Sequence, residues 1–237
     1  MSSAPETGGA GQLALRLPLD DEATLENFLP TASVTALVAA LAQPTGEPLQ
    51  FLHGPAAVGK SHLLQASCNL AAKNQQTVCY LTENEVVGQS PDMFEGLEHV
   101  ELVCLDDIDA WLQGGDWETA LFNLINRVRE VGHRLIMASA TPPEEVSIKL
   151  PDLRSRLAWG PVFQLQPLSD AEKYQALRFR AAQNGLELPQ NVADYLMQRY
   201  PRDTFGLFER LAVLDKASMA TQRRLTVPLV KSVFSED

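Results

Sequence analysis

Residues 54–61 read Gly-Pro-Ala-Ala-Val-Gly-Lys-Ser, which fits the spacing G-x-x-x-x-G-K-[ST]. The run before it, Leu49-Gln50-Phe51-Leu52-His53, is apolar and of strand length; His62-Leu63-Leu64-Gln65-Ala66-Ser67 after it carries a helical pattern. Strand, glycine loop and helix in this order commit the chain to an α/β layer with a loop that receives phosphate. Gly54 and Gly59 let the backbone curl closely, and loop N–H groups with the helix N-terminus supply positive potential. In that arrangement Lys60 reaches the β- and γ-phosphates and Ser61 holds Mg²⁺ through its hydroxyl. Gly54, Pro55, Ala56, Ala57, Val58, Gly59, Lys60, Ser61 and the following His62 form the candidate nucleotide site.

The rest of the chain fits that layer. Thr77–Thr82, Val100–Leu105, His133–Ala138 and Val162–Leu165 read as strands, and Trp117–Val131 places Leu121, Leu124, Ile125 and Val128 on one helical face. Continuous apolar strands alternating with helices predict a mostly parallel sheet covered on both faces. Beyond Pro167 the pattern is helical only. Ser169-Asp170-Ala171-Glu172 fits a capping box, and helices are predicted over about 170–184, 190–200, 204–221 and 227–234, punctuated by Pro189, Pro201 and Pro228. The expected organisation is an N-terminal tail over 1–24, an α/β nucleotide-binding domain over 25–168 and a small all-helical lid over 169–237.

Composition narrows the function. With 237 residues and a formal net charge of −11, the chain lacks the basic balance that phosphate-backbone binding requires, so little direct DNA contact is expected. No apolar stretch approaches the ~18 residues of a membrane span, and Met1 to Gly11 has neither the basic nor the apolar region of a secretory signal. Cys68, Cys79 and Cys104 are far apart and flanked by apolar residues, which reads as buried thiols and a cytoplasmic protein.

Glu101-Leu102-Val103-Cys104-Leu105-Asp106-Asp107 is an apolar strand ending in two acids. On a parallel sheet such residues face the ligand edge. Asp106 is then expected to position Mg²⁺ with Ser61, and Asp107 to orient an attacking water.

P-loop, acid-tipped strand, arginine-bearing segment and helical lid follow one another as in AAA+ ATPases. Leu150-Pro151-Asp152-Leu153-Arg154-Ser155-Arg156-Leu157-Ala158-Trp159-Gly160 resembles the arginine-finger box of the DnaA family, and Phe28-Leu29-Pro30 resembles its adenine-contacting stretch. The chain is similar over about residues 12–235 to the Hda proteins of that family, most strongly in 151–160, 165–170 and 217–226. This resemblance implies an AAA+ core with a parallel five-stranded sheet plus the helical lid, an adenine nucleotide and Mg²⁺ as cofactors, and Arg156 as an arginine finger acting in trans on DnaA, with Arg154 beside it. It also implies a partner in the β sliding clamp of DNA polymerase III, through a peptide with a Gln-Leu-x-Leu core. Gln12-Leu13-Ala14-Leu15, followed by Leu17, matches that core; an extended peptide seats alternate side chains in pockets. The chain departs from the family pattern at Ala140, where a polar sensor residue is usual, and at Phe205, where an arginine is usual, with Arg202 three residues away. Both changes weaken hydrolysis in cis and favour ADP over ATP. Two functions stay open: an adaptor that stimulates hydrolysis of DnaA-bound ATP and so down-regulates replication initiation, or a self-sufficient AAA+ ATPase or helicase loader on single-stranded DNA. A homodimer or higher oligomer is also open.

Changing Gln12, Leu13 and Leu15 together to Ala is expected to abolish capture by immobilised clamp while the melting temperature stays unchanged. A lower melting temperature with clamp capture retained would instead make the segment a strand of the fold.

Overall fold

Five parallel strands form one sheet in the order β2-β3-β4-β1-β5: β1 is Leu49–His53, β2 Val78–Leu81, β3 Leu102–Leu105, β4 Arg134–Ser139 and β5 Val162–Gln164. They belong to a computed structural model that describes residues 19–20, 22–29, 31, 34–43, 46–112, 114–200 and 204–234. Gln12, Leu13, Leu15 and Leu17, where a clamp-binding peptide is expected, and also Pro30 and Arg202, lie outside the described residues.

Strand side chains alternate between faces, and both faces are dry. Phe51, Leu81, Val103, Leu105, Leu135 and Met137 enter one core cluster; Leu52, Leu102, Cys104, Ile136 and Ala138 enter the other. That double burial is why the strands read as unbroken apolar runs. The first face is covered by α5 (Gly115–Val131) through Leu121, Leu124, Ile125 and Val128, and by α6 (Pro151–Leu157) through Leu153 and Leu157. The second is covered by α2 (Lys60–Lys73) through Leu63, Leu64 and Ala71, and by α1 (Thr35–Leu41) through Leu37 and Leu41. Cys68, Cys79 and Cys104 are free and buried, and burial pushes the Cys79 thiol up to about 12.

Short elements fill the connections where periodicity carries no signal. These are α3 (Glu83–Val86), two 3₁₀ turns at Pro91–Phe94 and Leu97–His99, and α4 (Ile108–Trp111). Each is one turn long, too short for a 3.6-residue period to repeat.

After β5 come α7 (Asp170–Gln183), α8 (Gln190–Arg199), α9 (Thr204–Thr221) and α10 (Val227–Val233), close to the predicted bounds. The capping box is present: the Glu172 N–H donates to Ser169 Oγ at 3.3 Å, and the Ser169 N–H donates to Glu172 Oε2 at 2.8 Å. These helices share their own apolar cluster, with Leu177, Leu196, Leu207, Leu211, Leu214 and Val230 at its centre. No helix among the described residues is long and apolar enough to cross a membrane.

The arginine box turns back into β5 at Gly160. A Cβ there would lie 1.8 Å from the Leu49 carbonyl oxygen, so the two backbones touch at the start of β1. Gly160→Ala must therefore push the box off the sheet. Urea unfolding is expected to show a loss of about 3 kcal/mol, at the upper end for overpacking.

Candidate functional site

Parallel strands exit at one edge, and there the predicted residues converge. β1 runs into the glycine loop, β3 into Asp106-Asp107, and β4 ends on Ser139, whose carbonyl accepts the Gly54 N–H at 3.3 Å. The loop reaches α2 through Gly59, which has φ 102° and caps the helix without a side chain. Ala57, at φ 61°, holds a conformation uncommon for a residue with a Cβ. The first-turn N–H groups of α2 therefore point at the loop with no capping side chain, a geometry suited to an anion.

Lys60 is buried, and its ammonium donates to the carbonyls of Gly54 at 2.9 Å and Pro55 at 3.2 Å. Asp107 Oδ1 lies 3.9 Å away on a half-exposed side chain. Asp107 itself adopts φ 43°. Burial and then the neighbouring Asp106 charge push its carboxyl above the ordinary range, with Lys60 pulling the other way.

Asp106 is 2% exposed, and both carboxylate oxygens are engaged. Oδ2 accepts the Tyr80 hydroxyl at 2.8 Å and Oδ1 accepts the Asp107 N–H at 3.0 Å. Gln65 Nε2 donates in turn to the Tyr80 oxygen at 3.3 Å. Burial, followed by the Asp106 charge, pushes the Tyr80 phenol up, so it stays a donor. A carboxylate oxygen retains lone-pair capacity beyond one bond, so Asp106 can still take a metal-bound water. With the Ser61 hydroxyl it offers hard oxygen donors of the kind Mg²⁺ uses while keeping waters and phosphate oxygens in its shell.

Phe28 closes the loop from outside. A Cβ on Gly59 would meet the Phe28 ring at 2.6 Å, so only glycine fits under it. The ring also lies 5.7 Å from the His62 imidazole at 35°. His62 Nε2 is 3.0 Å from the Thr24 carbonyl, which can only accept, so Nε2 carries the proton. Burial lowers the His62 pKa, partly opposed by that carbonyl. Leu29 follows in the same turn, half-buried, with its carbonyl accepting the Thr31 N–H.

The two departures have different surroundings. The Ala140 N–H donates to both oxygens of Asp109, at 3.1 and 3.3 Å, so a carboxylate from α4 stands beside position 140, which itself carries only a methyl. Phe205 is 63% exposed at the start of α9.

Arg156 stands elsewhere. Its guanidinium lies 3.6 Å from the centre of the Trp159 ring and 5.4 Å from that of Phe122, and Nε donates to Asn126 Oδ1 at 3.2 Å. Arg129 covers Trp159 as well, at 4.2 Å. Arg154 is exposed and donates to the Ile148 carbonyl at 3.0 Å. Since Gly160 rests on Leu49, this box sits at the N-terminal end of β1, while the glycine loop leaves its C-terminal end. At ordinary strand rise the two ends of β1 are about 13 Å apart. Tyr80, Gln65, Asp109 and Asn126 belong to these surroundings, yet no motif in the sequence marks them.

Lys60→Ala removes the ammonium held at the loop. It is expected to weaken a nucleoside diphosphate by roughly a hundredfold or more, since hydrogen bonds to charged groups are worth ~1.5–3 kcal/mol each. Isothermal titration decides; unchanged affinity would move the site off the loop.

Residues 19–164 match the family model of the bacterial DnaA ATPase domain, and residues 170–234 match that of the Hda lid domain. Among solved structures, domain III of the Thermotoga maritima replication initiation protein DnaA is 20% identical. The match covers 92% of this chain and 98% of that one, with a TM-score of 0.74. AMPPCP-bound DnaA from Aquifex aeolicus is 22% identical, covering 84% and 67% of the two chains with a TM-score of 0.70. The Thermotoga maritima RuvB Holliday junction branch migration motor is 17% identical, covering 90% and 71% with a TM-score of 0.65. At these identities the structures speak for the fold, an AAA+ core with a helical lid. The family model spans well over half the chain, which therefore belongs to the bacterial DnaA ATPase-domain family as an Hda-type, DnaA-related AAA+ regulator of replication.

Proposed function

We propose that this chain is a nucleotide-holding adaptor that docks on the β sliding clamp through Gln12, Leu13, Leu15 and Leu17 and presents Arg156 to the ATP bound by DnaA. Hydrolysis of that ATP would down-regulate initiation. The observation that carries this reading is the placement of Arg156. It stands at the opposite end of β1 from the chain's own phosphate loop, packed on Trp159 and tethered to Asn126. A guanidinium there serves another molecule's phosphates better than its own.

In this reading the chain's own loop, with Lys60, the α2 N-terminus and Phe28, holds an adenine nucleotide, ADP rather than ATP. The family relationship supports the nucleotide, and AMPPCP bound to the Aquifex aeolicus DnaA is in keeping with it. Ser61 and Asp106 would hold Mg²⁺, which supplies charge neutralisation at the phosphates. In the partner site, Arg156 stabilises the negative charge that develops as the γ-phosphoryl group transfers. Its planar fork of donors is what lysine lacks. The competing reading, a self-sufficient ATPase or helicase loader, draws on Asp107, which stands beside Lys60 and would orient a water in cis.

Turnover of DnaA-bound ATP, with clamp loaded on DNA, separates the two. Arg156→Ala and Arg156→Lys are both expected to lower stimulated turnover by ~10³-fold or more, the usual worth of such a finger, while diphosphate and clamp binding persist. Arg154→Ala is expected to do less. Full stimulation by Arg156→Ala, or fast hydrolysis by the chain alone, would overturn the adaptor reading.

A further inference from the structure

Glu118 is a buried acid outside both sites. It lies in the first turn of α5 and is 2% exposed. Its carboxylate accepts the Lys149 N–H at 3.0 Å on Oε2 and 3.2 Å on Oε1, and the Leu150 N–H at 2.7 Å on Oε2. Among the described residues none of the ion pairs includes it. A buried charge without a cation is costly and persists only where hydrogen bonds replace its water. Here the replacement comes wholly from the backbone that opens α6, the helix carrying Arg154 and Arg156.

The far end of the same helix is held by the same partner. Asn126 is eight residues beyond Glu118, about 12 Å along α5, and receives Arg156 Nε. Leu150 to Arg156 is six residues, about 9 Å of helix. The two contacts therefore run alongside each other, one at each end of α6, and the first sets where the second falls.

We propose that Glu118 is a positioning residue for Arg156. Its carboxylate fixes the start of α6 against α5, and so sets the height and rotation at which the guanidinium meets Asn126 and Trp159. This rests on the reading of Arg156 as a finger in trans. A displacement of 1 Å at such a group can cost a hundredfold in rate, so a backbone anchor nearly two helical turns away governs activity without touching the reacting atoms.

The test uses the full chain with Glu118→Gln and Glu118→Ala. Gln retains one acceptor oxygen and turns an amide N–H₂ towards a backbone donor, which loosens the anchor without emptying the site. The first readout is the ¹⁵N signal of the Arg156 Nε–H. The Arg127 Nε–H, on α5 like Glu118 and bonded to Glu98 at 3.1 Å, is the internal reference. The second is turnover of DnaA-bound ATP with clamp on DNA, titrated with the variant. In Glu118→Gln the Arg156 signal should move towards that of a free guanidinium while Arg127 stays in place. The maximal rate should fall at least tenfold, with the half-saturating concentration within twofold of the parent. If Glu118→Ala does not fold, Glu118→Gln decides alone. An Arg156 signal and maximal rate unchanged in a folded variant would overturn the proposal. So would joint loss of the Arg156 and Arg127 signals, which would make Glu118 a support of the whole fold. Should Arg156→Ala prove fully active, the finger reading fails, yet the Arg156 signal still decides whether Glu118 places it.

Discussion

Because every strand runs parallel, all the C-terminal ends meet at one edge and all the N-terminal ends at the other. Helices lie over both faces, so the edges are where chemistry can reach solvent. At one edge stand the glycine loop, Lys60, Asp106 and Asp107; against the other, where Gly160 meets Leu49, stands the box that carries Arg156. Lys60 at the loop and Arg156 in the box are thereby kept apart by the length of β1. No flexible segment is required for that division, since the strand direction enforces it.

Three of the buried charged groups among the described residues follow one pattern. Lys60 is held by two loop carbonyls, Asp106 by a phenol and a backbone N–H, and Glu118 by two consecutive backbone N–H groups. In each case the charge is compensated mainly by dipoles that the fold fixes in place. Such compensation is directional, so it specifies geometry as well as stability. The cost of removing one member falls on the group left behind. The Tyr80–Asp106 bond illustrates this, because the carboxylate it orients lies between the sheet core and the phosphate loop.

The helices after β5 obey a different rule. Their core is built from their own leucines, tyrosines and valines, and α7 begins with a reciprocal capping box that needs no help from the sheet. Arg180 Nη2, on a largely covered side chain, reaches the exposed Glu22 at 3.9 Å, a long contact of small worth. Phe28, by contrast, is bound into the sheet-side cluster with Val58 and Leu165, so the aromatic lid over Gly59 belongs to the α/β layer.

Much of this was legible in the chain itself. Five apolar runs became the five strands, and the helices after Pro167 fell within a residue or two of their predicted bounds. The phosphate loop was readable because its chemistry demands fixed residue types at fixed spacing on contiguous chain. Periodicity worked for the long helices and failed for one-turn elements such as α3 and α4, which repeat nothing. What the sequence could not disclose were partners distant along the chain: Tyr80 on Asp106, Asp109 on Ala140, Asn126 on Arg156, and Glu118 on Leu150. Local spacing determines loops, caps and faces, because those depend on neighbours three or four residues away. Which acid meets which backbone N–H depends on how β4, α5 and α6 stack in space, and only the tertiary structure decides that.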